Sequence, residues 1–146
     1  MRQKGVVFTT TLDIPALANV FKGTGEAAMG GVRRVLKVAP RLTGAGDKIG
    51  FYTPKFDPVW SGVQEQPDFA VGVNILKFGP GFAPGSGPGD GTHVHMYVKN
   101  NGNARNVELV AQHGMTDARL ATKLVSRFLD SFRAADPGLR INESNI

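Results

Sequence analysis

The chain contains no cysteine at any of its 146 positions. That excludes disulfide staples, thiolate metal sites and cysteine nucleophiles together. It is compatible with a reducing compartment, and the cytoplasm is the location expected. Long hydrophobic runs are also missing: none approaches the roughly 20 apolar residues of a membrane span. After the basic start Met1-Arg2-Gln3-Lys4, Val6-Val7-Phe8 passes at once into three threonines. A secretory leader needs an apolar stretch of about 7–15 residues there, so no signal peptide is read. No G-x-S-x-G nucleophile elbow occurs. Gly79-x-Gly81 imitates a phosphate loop, but no G-K-[ST] follows and the next element reads as a strand. No cofactor is implied.

What is present describes one α+β domain over residues 1–139, followed by a tail at 140–146. A chain of this size buries a sizeable core unaided, and 41% hydrophobic with 20% charged residues is a globular composition. Seventeen Lys and Arg against twelve Asp and Glu give a net charge of +5. Such a field favours acidic partners, although it is equally the charge of an ordinary soluble surface. The basic residues are spread along the chain, apart from Arg33, Arg34, Lys37 and Arg41.

Val6 to Leu12, rich in β-branched residues, predicts a first strand. Asp13 then stands as a helix N-cap with Pro15 in the first turn. A short helix is expected to end at Gly23 and Gly25, and a second to run from Glu26 to Ala39 until Pro40 stops it. From Asp47 the period changes to two. Strands are expected at 48–53, 59–65, 69–78, 92–99 and 105–112, the last two joined by a hairpin at Asn100-Asn101-Gly102-Asn103. Residues 79–91 hold nine glycines and prolines among thirteen positions, so neither helix nor strand is expected there. The final helix carries Leu120, Leu124, Phe128 and Phe132 on one side, joined by Ala121, Val125 and Leu129. Arg119, Lys123, Arg127, Asp130 and Arg133 take the other. Thr116 and Asp117 suit its start and Pro137-Gly138 its end. So broad an apolar stripe calls for a sheet to cover it.

The order strand, two helices, antiparallel strands, long terminal helix is similar to the helix-grip fold of the START and polyketide-cyclase superfamily. The resemblance lies in Val6 to Pro15 and Thr116 to Ala135. It implies a curved sheet wrapped on the terminal helix with an apolar cavity between them, and a small apolar or amphipathic ligand. It carries no catalytic residue across.

Chemistry-bearing residues are few. His93 and His95 stand two apart in a predicted strand, so both imidazoles share a face that Tyr97 continues. They are the candidate ligand-binding residues. A divalent metal would need a third ligand such as His113, Glu108 or Asp90. Val94, Met96 and Val98 occupy the other face, and either row suits the interior. The alternative function is a protein- or nucleic-acid-interaction module without catalysis, in which Arg33, Arg34, Lys37 and Arg41 touch phosphates and Phe51 and Tyr52 stack on bases.

Overall fold

The computed structural model describes residues 3–38, 51–54, 66–75, 92–112 and 118–146, with the side chains of 3, 29–38 and 118 excepted. Among these residues six strands form one antiparallel sheet: β1 (Gln3–Thr10), β2 (Phe51–Tyr52), β3 (Phe69–Ile75), β4 (Thr92–Asn101), β5 (Ala104–Gln112) and β6 (Arg140–Ser144). Their order across the sheet is β2-β3-β4-β5-β1-β6. Two helices, α1 (Ile14–Val38) and α2 (Ala118–Ala135), complete the described fold. No helix among the described residues is long and apolar enough to cross a membrane.

The β4–β5 hairpin turns at Gly102-Asn103, with Asn101 paired to Ala104. Gly102 takes a positive φ of 63°, the left-handed conformation that a glycine at the first central position of a tight hairpin supplies without steric cost. From that turn the ladder sets the faces of the whole sheet. Met96 pairs with both Val71 and Leu109, and Leu109 pairs with Val6. Phe8, Val73, Val94, Val98, Val107 and Ala111 share that face, and all are buried. Both helices lie on it. α2 meets β1, β4 and β5, while α1 meets β3 and α2. The α2 stripe interdigitates with the strands: Phe132 tilts against Phe8 at 5.4 Å, and Phe128 against Phe21 of α1 at 4.9 Å. Phe8, Phe21, Phe128 and Phe132 expose no surface, and burying each fully is worth roughly 1.5–3 kcal/mol.

One helix, not two, follows β1, which corrects the expected break at Gly23 and Gly25. Asp13 does cap it, its Oδ1 accepting from the Ala16 N–H at 2.9 Å. The two glycines have different physical reasons. A Cβ at Gly23 would meet nothing within 4 Å, whereas one at Gly25 would lie 2.9 Å from the Phe51 ring. Gly25 is therefore the groove into which β2 drops its aromatic anchor, and Phe51 reaches the Phe21 ring edge-on at 6.2 Å. Tertiary packing of Leu17, Phe21 and Thr24 outweighs the propensity penalty of about 1 kcal/mol per glycine.

The tail expected at 140–146 is a strand through residue 144. β6 pairs antiparallel with the outer edge of β1, with a register shift at Val7/Phe8. Asn145 accepts from the Gly5 N–H at 2.6 Å, and Asn142 donates to Thr9 Oγ1 at 2.8 Å. The turn before β6 is tied down as well: the Asp136 carboxylate accepts from the Thr10 hydroxyl at 2.6 Å, from the Thr11 N–H and from the Gly138 N–H. The Thr10 bond, foremost, holds its carboxyl below the usual range. Of the other strand expectations, 48–53 meets a strand at Phe51–Tyr52, while residues 48–50, the expected strand 59–65 and the Gly/Pro segment 79–91 lie outside the described residues.

Replacing Gly23 by Ala is expected to stabilise the fold by about 0.5–1 kcal/mol. Gly25→Ala is expected to destabilise it by about 1–3 kcal/mol, because the Phe51 ring must move. Urea unfolding of the two variants checks the pair; equal shifts of the same sign would contradict this account of α1.

Candidate functional site

The side of the sheet turned away from the helices carries the other half of the alternation. Along β4 that half is His93, His95 and Tyr97; Val94, Met96 and Val98 face the helices. The register places Asn74 and Gln112 beside His93, Gly72 and Val110 beside His95, and Ala70 and Glu108 beside Tyr97. Asn74, His95, Tyr97, Glu108, Val110 and Gln112 are all buried on this face, and His93 and Tyr52 are half-buried. A polar face removed from water must find its hydrogen bonds internally.

Tyr52 supplies the central one. Its hydroxyl stands 2.7 Å from His93 Nδ1 and 2.7 Å from His95 Nε2. On the far side of the same ring, His95 Nδ1 is 3.0 Å from the Tyr97 hydroxyl. The result is a continuous chain, His93–Tyr52–His95–Tyr97, whose rings also meet edge-on at centroid distances of 5.6–6.3 Å. Two local features set it in place. Successive residues of a strand point to opposite faces, so Phe51 in its α1 groove forces Tyr52 onto the polar face. Tyr52 pairs with Gly72, where a Cβ would lie 2.8 Å from both the Tyr52 and the His95 rings. Only a residue without a side chain lets the two rings close over that strand.

Burial keeps these groups neutral. Desolvation lowers the basicity of His93, and desolvation reinforced by His93 pushes His95 down to about 4. Desolvation first, and then Tyr97, raises the Tyr52 phenol far above its ordinary value. Glu108 goes the same way. Burial first, and then the nearby Glu143, lifts its carboxyl to about 8, and its Oε2 is buried without a hydrogen-bond partner among the described residues.

The sequence-predicted residues His93, His95 and Tyr97 are thus brought together, on the face opposite α2. Glu108 shares that face but stands across from Tyr97, and His113 and Asp90 lie outside the described residues. Among the described residues no three His, Cys, Asp or Glu side chains converge as a metal centre requires. Arg33, Arg34 and Lys37 belong to the C-terminal half of α1 with side chains outside the described set, as is Arg41 altogether. Tyr52, read from sequence only as a base-stacking residue, is the one that joins the site. The signal that marks it is Gly72, an isolated glycine inside a strand, which denotes close approach. No family model matches the chain, and no match is found among curated proteins.

The site contributes to the pH response of the fold in two opposing directions. The folded protein holds the Glu108 proton to about pH 8, against an ordinary 4.5. Stability therefore falls as pH rises between these values, by about 1.4 kcal/mol per unit. His95 protonates near 6.5 when unfolded but near 4 when folded, so stability falls as pH drops through that window. Glu108→Gln removes the first contribution alone. The wild type is expected to weaken from pH 6.5 to 8, and the variant to stay level there while still losing stability below 6.5. Urea unfolding at pH 5, 6.5 and 8 measures both; a wild type level from 6.5 to 8 would contradict a buried, protonated Glu108. Gly72→Ala is expected to cost about 1–3 kcal/mol by overpacking and to part the Tyr52 and His95 rings, seen as shifted histidine ring resonances.

Proposed function

We propose that the protein binds a small amphipathic molecule on the polar face of its sheet, with His93, His95 and Tyr97, joined through Tyr52, as the orienting groups. The observation that carries this reading is the chain of four hydrogen-bonded rings on a largely buried sheet face. Few and convergent polar groups set among apolar ones are what fix the orientation of a small ligand. Val110 and Ala70 flank the chain in register, and the aromatic rings add apolar surface of their own. Neutral imidazoles and phenols favour an uncharged group that donates or accepts a hydrogen bond, attached to an aromatic or aliphatic body.

The likeness to helix-grip proteins, which rests on the order of elements, agrees with this class of ligand but suggests another place for it. Between the sheet and α2 the described residues leave the space to Phe8, Phe21, Phe128 and Phe132, each fully buried. The face opposite the helices, where His93 and Tyr52 are half-buried, is the better candidate.

Fluorescence titration with N-phenyl-1-naphthylamine, a neutral aromatic probe with a single N–H donor, tests the reading. Saturable binding is expected, weakened about fivefold or more by His93→Ala, the loss of one hydrogen bond worth about 1 kcal/mol. Lys123→Ala, on the exposed side of α2, is the control expected to bind as the wild type does. Equal affinity of wild type and His93→Ala would refute the proposal.

A further inference from the structure

We infer that His93, Tyr52, His95 and Tyr97 form a proton relay, and that His93 at its outer end is the general base and acid of a catalytic site for a small molecule with a weakly acidic C–H or O–H group. This rests on the binding face just proposed and adds chemistry to it.

The inference follows from counting protons. A phenol has one hydrogen, and Tyr52 meets two imidazole nitrogens at the same 2.7 Å. It donates to one and accepts from the other. If it donates to His95 Nε2, then His93 carries its proton on Nδ1 and gives it to Tyr52. His95 then carries its own on Nδ1 and gives it to Tyr97, 3.0 Å away. His93 Nε2, with no partner among the described hydrogen bonds, is left as a bare lone pair on a half-buried ring. In the reverse arrangement every bond keeps its length and changes direction. Tyr97 donates to His95 Nδ1, His95 donates from Nε2 to Tyr52, Tyr52 donates to His93 Nδ1, and His93 Nε2 carries a hydrogen. In both arrangements the two histidines are the same tautomer. The arrangements differ by one proton moved along the chain.

A bound acid drives the first into the second. Its proton goes to His93 Nε2 and its bonding pair stays on the substrate. The Nδ1 proton of His93 passes to Tyr52, the Tyr52 proton to His95 Nε2, and the Nδ1 proton of His95 to Tyr97. The Tyr97 proton leaves to a carboxylate in its ionised form, and Glu108, across from Tyr97 in the strand register, supplies it from the ionised fraction that grows as pH rises toward 8. No ring in the chain keeps a charge, which suits rings buried as these are. Run backwards, the same steps return a proton to the substrate. Glu108, with its carboxyl lifted to about 8 by burial and Glu143, exchanges a proton near neutral pH, as an end of such a relay must. His93 is the residue that touches substrate; Tyr52, His95 and Tyr97 act through it.

Two measurements on the whole chain test the relay. Nitrogen-resolved NMR of the histidine rings at pH 7 is expected to show His93 and His95 in one shared tautomer. Tyr52→Phe, which keeps the ring and removes the hydroxyl, is expected to uncouple them while near-ultraviolet circular dichroism stays native. Opposite tautomers in the wild type overturn the relay. The catalytic part is read with 5-nitrobenzisoxazole. Here a base takes the C3 proton, the C–H pair forms the nitrile, and the N–O bond breaks to release a coloured phenolate. The wild type is expected to exceed His93→Ala by about 100-fold in kcat/KM, the lower range for a positioned base. Tyr52→Phe is expected to retain most of the KM and lose kcat. A wild type no faster than His93→Ala overturns the catalytic role. If His93→Ala still weakens the naphthylamine probe in that case, the binding reading survives; if neither effect is seen, both fall.

Discussion

The alternation of β4 is the constraint on which the rest depends. From Val94 to Val98 its even residues are apolar, and from His93 to Tyr97 its odd residues are aromatic and polar, so the strand has one orientation that buries hydrocarbon against the helices. Once Val94, Met96 and Val98 take that side, His93, His95 and Tyr97 have no choice but the other. That side is buried too, so its polar atoms cannot be left to water. The cost of an unsatisfied buried donor or acceptor, about 1–3 kcal/mol each, is avoided by one phenol placed between two imidazoles. Tyr52 therefore satisfies buried nitrogens of the sheet face as well as joining the site.

The same reasoning ties the site to the core. Among the described residues Tyr52 belongs to a strand of only two, at the end of the sheet order. Its position is inherited from Phe51, which sits in the groove that Gly25 opens in α1 and touches Phe21. Phe21 in turn meets Phe128 of α2. A single run of aromatic contacts thus leads from the terminal helix through α1 to the residue that holds the two histidines, and a change in the α1 groove is felt on the far side of the sheet. Rigid support of this kind is what keeps hydrogen-bonding groups within a few tenths of an ångström of their partners.

What was legible in the sequence, and what was not, follows the range of the interactions involved. β4, β5, their hairpin and the apolar stripe of α2 are written in local periodicity and turn chemistry, and they stand as read. The histidine row was legible as a row, but the face it occupies was not, because either side of β4 suited the interior until the register of β3 and β5 was known. α1 was read as two helices because Gly23 and Gly25 are breakers by propensity; contacts with Phe51, distant in sequence, decide otherwise. β6 was missed for a related reason. Arg140 to Ser144 has one half-buried apolar residue, Ile141, and its order comes from pairing with β1 and from the side chains of Asn142 and Asn145. Tyr52 was legible beside Phe51 but not as the link between the histidines, since nothing near it in sequence names His93 or His95.

Two histidines converging on one point invite a metal reading, and the geometry explains why the phenol is the better occupant. Nitrogen-to-zinc bonds are about 2.0–2.1 Å and need further ligands to complete a tetrahedron, whereas these nitrogens stand at hydrogen-bonding distance from an oxygen already between them. An ion at that point would have to displace Tyr52, which Phe51 and Gly72 hold in place, and would bring charge into surroundings that depress the histidines and raise the carboxyl of Glu108. A phenol meets both nitrogens without charge, and it does so only by donating to one and accepting from the other. The polarity of the whole chain is then decided at its ends. Whatever approaches His93 meets a lone pair or a hydrogen according to what happens beside Tyr97, three rings along the chain.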